Sequence, residues 1–195
     1  MADSEGTARA RTLDYLRTRA AGLDATRIRA RVRSAGAELE AALARLGETD
    51  ARRPVLPGEW TVAQVVDHVA QSTIRAAEEL RHLLAGRRPP GPPVYEGLLS
   101  GAAHRVPWSE LVQGLREAST ALDAALEEAA RRPPSDDGAA TVATILVAGV
   151  PDPGGAAELF AADLTWKEYA LVQRLHFLDH REQVRRLRAA LEALA

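Results

Sequence analysis

Apolar positions recur at helical spacing in four long stretches of this chain. Across residues 25–46 they are Ile28, Val32, Ala35, Leu39, Ala42, Leu43 and Leu46. That series marks one face of an α-helix, with Asp24 placed to cap its start and Gly47 to stop it. A second stripe follows Thr61, through Val62, Val65, Val66, Val69, Thr73, Ala76, Ala77, Leu80 and Leu84 to Gly86. Thr61 and Gln64 have the spacing of a capping box, in which side chain and backbone satisfy each other's free N–H groups. Ser109 is the expected cap of a third helix reaching about residue 131, with Leu111, Val112, Leu115, Leu122 and Leu126 inward. Pro133 and Pro134 end it. The fourth stretch, residues 164–194, predicts one long helix opened by Thr165 and Glu168, again in capping-box spacing. Trp166, Tyr169, Val172, Phe177, Val184, Leu187 and Leu191 fall on one side of its wheel.

The intervening segments predict less regular structure. Residues 1–6 read as a loose end and residues 7–21 as a short arginine-rich helix, an arm or accessory element. Residues 48–60 hold Pro54, Pro57 and Gly58 and read as a loop. Residues 87–107 carry five prolines and three glycines and predict a long connection across the outside of the bundle. The β-branched run at 140–150 predicts a strand or a buried extended segment, 151–155 a turn, and 156–163 a helical turn. The expected fold is all-α: a four-helix bundle with long crossover connections, residues 24–195, preceded by an arm or accessory helix at 1–23.

The 195 residues suffice for one domain with a real core, and aromatics at 4% make that core aliphatic. A net charge of −2 argues against a nucleic-acid partner, which would favour a basic chain. The arginine-rich helices also carry Asp or Glu, so mixed solvated faces are expected. There is no cysteine, which excludes disulfides, a thiolate nucleophile and Cys-ligated metal centres. Any bound metal must be held by His, Asp, Glu or water. No apolar run approaches the length of a membrane span, and the N-terminus lacks a secretory-type apolar core. A cytoplasmic enzyme or binding protein, without a membrane partner, is expected. Phosphate-binding, dinucleotide-binding and G-x-S-x-G signatures are missing.

The informative feature is a histidine pair. His176 and His180 lie one turn apart near the middle of the apolar side of the last helix. An inward imidazole must be hydrogen-bonded or coordinated, because burying it unpaired costs roughly 1–3 kcal/mol. Two rings at i, i+4 suit one cation, although Phe177 stands where a zinc protease would carry its general base. A third ligand is common in catalytic zinc sites, and His68 on the flank of the second stripe is the candidate. Gln183, one turn past His180, is a candidate partner of a ligand or of a metal-bound water. His82 reads as a solvated cation near a helix end, and His104 as a surface loop residue. Asp67 and Asp179 each precede a candidate ligand and should point away from the metal.

The segment PGEWTVAQVVDHVAQS, with Trp60 eight residues before His68, resembles the opening signature of the DinB/YfiT-like superfamily. LHFLDHREQV, with His176, His180 and Gln183, resembles its closing signature. The resemblance implies a four-helix bundle with a three-histidine divalent metal site at an open pocket. His68, His176 and His180 would be the ligands, and zinc or nickel the usual occupants. Some relatives use mycothiol or bacillithiol as cosubstrate. Mycothiol-dependent maleylpyruvate isomerases share the W…H opening, while the HxxxH ending is nearer the DinB branch. The expected function is a metal-dependent enzyme that activates water or a low-molecular-weight thiol, of the thiol S-transferase type. The alternatives are a metal-dependent hydrolase and a non-catalytic metal or small-ligand binding bundle. The partner is a small-molecule substrate, and the Ala-rich flanks together with the pairing of relatives suggest a homodimer.

Overall fold

A computed structural model describes residues 2–93, 97–132, 134, 140–148 and 158–194. Helix α1, Ala2–Ala21, begins earlier than the sequence pattern implies and docks through buried Leu16 and Ala20. Helix α2, Ala25–Leu43, is capped by the Asp24 carboxylate, which accepts from the Arg27 N–H at 2.7 Å. It ends before Gly47, because Arg45 already takes a left-handed backbone with φ of 71°. Gly47 instead precedes a short helix, α3, Glu48–Arg52, inside the expected loop.

Helix α4, Val62–Leu84, opens with the complete Thr61–Gln64 capping box. Helix α5, Trp108–Arg131, starts one residue before the expected cap. Ser109 does not cap it: the free N–H of Trp108 is satisfied by the Glu48 carboxylate at 2.7 Å, so α3 supplies the cap. Helix α6, Trp166–Glu192, is held at its start by the Glu168 carboxylate, which accepts from both the N–H and the hydroxyl of Thr165.

Four of the helices form a closed ring in the order α2, α5, α4, α6. Their inward faces are aliphatic, with Ile28, Leu39, Val65, Leu80, Leu115, Leu122, Leu126 and Leu187 almost wholly buried. The result is an all-α bundle carrying one small addition. Strand β1, Val142–Ala148, pairs antiparallel with β2, Glu158–Leu164, so that Val142 faces Leu164 and Leu146 faces Phe160. Where the sequence predicts a helical turn over 156–163, residues 158–163 instead form a strand. Phe160 and Leu164 lie four residues apart, a spacing that suits one face of a helix or of a strand, and pairing with β1 decides it. The expected turn at 151–155 lies outside the described residues. The connection from α4 to α5 does not simply cross the exterior, because Leu98 reaches the α4–α6 seam. No helix among the described residues is long and apolar enough to cross a membrane.

Candidate metal centre

His68 on α4 and His176 and His180 on α6 meet at the seam of these helices, with their Nε2 atoms converging. The Nε2 of His176 lies 3.0 Å from that of His68 and 3.1 Å from that of His180. The rings meet edge to face, at 69°, 66° and 84° to one another. Nitrogens bonded to a single tetrahedral zinc at about 2.0–2.1 Å stand about 3.3 Å apart, so the observed spacing is of that kind.

Hydrogen bonding fixes two of the three tautomers. His68 Nδ1 lies 3.1 Å from the Leu98 carbonyl, which can only accept. His180 Nδ1 lies 2.8 Å from the Gln183 amide oxygen. Both rings therefore hold their proton on Nδ1 and present Nε2 as a bare lone pair. Burial, reinforced by the neighbouring His180, pushes the His68 pKa down to about 4. Burial also drives His176 well below its ordinary value, with His180 and His68 adding to the effect, and it lowers His180. Near neutral pH all three are uncharged, the form that binds a metal.

His176 tests whether a cation fits. Its Nδ1 is buried and has no hydrogen-bond partner among the described residues. With the proton on Nδ1, a buried N–H lacks an acceptor and three lone pairs face one another. With the proton on Nε2, only one of the two neighbouring nitrogens can accept it. Either tautomer leaves an unfavourable contact costing roughly 1–3 kcal/mol. A cation at the point of convergence removes the lone-pair repulsion, and the donor set suits zinc or nickel.

The remaining residues named from sequence are placed as follows. Gln183 bonds the candidate ligand His180. Asp67 is buried and turned from the triad, accepting from Ser100 Oγ at 2.6 Å and from the Gly101 N–H at 3.1 Å. It pins the segment that offers the Leu98 carbonyl to His68. Asp179 and His104 are exposed, and His82 is half-buried in the last turn of α4. None of these three belongs to the imidazole cluster. Trp60 packs on His68 with ring centroids 4.9 Å apart. Gly97 is required beside it, since a Cβ there would come within 2.6 Å of the indole.

A cavity of about 380 Å³ opens on the triad. Its walls include Ser72, Arg75 and Glu79 of α4, Tyr169 of α6, and Ala143, Ile145, Val147 and Leu159 of the hairpin. Sequence reasoning missed these residues. The available signal was the 4-3-4 spacing from His68 through Ser72 and Arg75 to Glu79, which puts all four on one face. A larger cleft of about 470 Å³, lined mainly by α2 and α5, contains no histidine.

The family described as mycothiol maleylpyruvate isomerase N-terminal domain matches residues 32–151, more than half of the chain. The matched region includes His68 and stops before His176 and His180, so the likeness of the closing segment to the DinB branch rests on its own residues. No curated protein and no solved structure matches the chain.

Proposed function

Because the chain belongs to the mycothiol maleylpyruvate isomerase N-terminal domain family, within the DinB/YfiT-like superfamily, we propose that it is a divalent-metal-dependent enzyme acting on a small molecule. His68, His176 and His180 would hold the ion, with zinc or nickel as occupant. The observation that carries this reading is the convergence of three neutral imidazole nitrogens, two of them held as bare lone pairs by Leu98 and Gln183.

A divalent cation held there supplies Lewis acidity, lowering the pKa of a thiol or water brought to it. The chain's own groups do the rest. Leu98 and Gln183 fix the ligand tautomers, Trp60 covers one side of His68, and the hairpin supplies an apolar wall of the cavity. With no cysteine in the chain, sulfur nucleophilicity must come from outside. The family description favours mycothiol as that thiol, with bacillithiol as the chemical alternative. We place the activity in the cytoplasm, a reducing compartment where such thiols stay reduced.

Metal content of the purified protein, followed by turnover assays with and without thiol, tests the reading. Stoichiometric metal with thiol-dependent turnover supports transfer, and turnover without thiol moves the assignment to hydrolysis. Bound metal without turnover would leave a binding bundle, and failure to retain any divalent ion would overturn the site.

A further inference from the structure

The cavity over the triad continues along α4 to a polar end that metal binding leaves unexplained. Seven residues of helix separate His68 from Arg75, about 10 Å of axis. At that end Glu79 is only 8% exposed. Its carboxylate accepts from Arg75 Nε at 2.7 Å and from the hydroxyl of buried Tyr169. Arg75 Nη2 also donates to the Pro92 carbonyl at 3.0 Å. The guanidinium is thus gripped from two sides while its side chain keeps 33% exposure on the cavity wall.

An ordinary i, i+4 ion pair lies in solvent and contributes about 0.3–0.5 kcal/mol. This one differs, because burying a carboxylate is costly unless its oxygens are bonded, and here a buried tyrosine completes the bonding. The arrangement fixes a guanidinium that still has N–H groups to donate, since the two bonds use only part of its five. Ser72, between His68 and Arg75 on the same wall, carries a hydroxyl with no recorded partner among the described residues. Val147 and Leu159, paired across the hairpin, line the same cavity while 55% and 53% exposed. The cavity therefore offers a donor cluster, a hydroxyl, an oriented cation and an apolar side.

We propose that Arg75 anchors a carboxylate of the substrate, and that the substrate class is an extended monocarboxylate with an apolar body. Its reacting group reaches the three histidines about 10 Å from the anchor, a distance set by the helix rise. Tyr169 and Glu79 act through Arg75 as positioning residues. The assignment rests on the metal reading for the reacting end only; the anchor itself needs no metal.

Calorimetric titration of metal-free and cobalt-loaded protein with straight-chain alkanoates, the matching alkanols and ω-mercaptoalkanoates tests it. Alkanoates should bind both forms. Arg75→Gln should weaken alkanoates roughly ten- to a hundredfold, the loss of a charge-assisted pair, and leave alkanols unchanged. Tyr169→Phe should weaken alkanoates less, and Arg116→Gln, in the larger cleft, should change neither. A terminal thiol should add affinity only with cobalt present and only above a threshold chain length. Failure of cobalt to bind would sink the metal reading while the alkanoate comparison still decides the anchor. Equal losses for alkanoate and alkanol in Arg75→Gln would reduce Arg75 to a structural tie. Loss in Arg116→Gln instead would move the acid to the other cleft, and absence of alkanoate binding would remove the anchor.

Discussion

His68 and His82 share one helix and differ only in what they meet. His68 faces two imidazoles and a carbonyl, while His82 is half-buried in the last turn. Removing a facial ligand should release a labile divalent ion, because two ligands rarely retain one against dilution. His68→Ala, His176→Ala and His180→Ala should each lose bound metal by elemental analysis and keep their helical circular dichroism. His82→Ala and His104→Ala should retain it. Equal metal content in His68→Ala and His82→Ala would displace the site. Asp67 makes the complementary case. Its carboxylate is turned from the three imidazoles and holds Ser100 and Gly101, three residues or fewer beyond the carbonyl that orients His68. Loss of such outer support usually costs ten- to a hundredfold in metal affinity. Asp67→Ala should show a loss of that size in competition with a chelator, and an unchanged affinity would mean that Leu98 is held by other contacts.

Between elements, the clearest polar tie joins α2 to α5. Arg29 donates to both Asp123 oxygens, at 2.8 and 2.7 Å, and to Glu127 at 3.3 Å. Hydrogen bonding from Arg29 holds the Asp123 carboxyl below its ordinary pKa. Its stabilisation is therefore complete above the unfolded-state pKa of about 4 and disappears as pH falls through the lower folded value. Asp123→Asn should cost about 1 kcal/mol in urea unfolding at pH 7, with the gap to wild type closing below about pH 4. A gap that grows on acidification would refute this. The pair was hard to foresee, since arginines and acids occur on every helix and only the packing of α2 on α5 selects these partners. The long helices were legible for the opposite reason: each carries its own stripe and its own stop or start signal, as Thr61 and Gln64 do for α4. The histidines were legible because two sit inward on one helix and the segments around all three resemble a known pattern. Arg75 and Glu79 were not. On paper they are any i, i+4 pair, and what sets them apart is the bond from Tyr169 to Glu79, made across 90 residues of chain.

At the scale of the whole molecule, the triad carries unfavourable contacts that the proposed ion would relieve. It bridges α4 and α6, adjacent members of the helical ring, with neutral rings whose lone pairs crowd one another and with a buried Nδ1 that has no partner among the described residues. An ion that binds only the folded state stabilises it by about 2.7 kcal/mol at a hundred times its Kd. For a domain of this size each kcal/mol moves Tm by roughly 2–4 °C, so saturation should raise Tm by about 5–10 °C. The rise should depend on metal concentration, reverse on chelation, persist in His82→Ala and vanish in His68→Ala. His176→Leu separates this from a general packing effect. Leucine fills much of the space of the ring and removes the orphaned polar atom, and replacing an unsatisfied buried polar group by an apolar one is often neutral or stabilising. Without metal, His176→Leu should therefore melt at or above wild type, and with saturating metal it should melt below it. That crossing requires the imidazole to serve the ion rather than the fold. If His176→Leu melts well below wild type in both conditions, the ring is a packing element and the metal assignment loses its central residue.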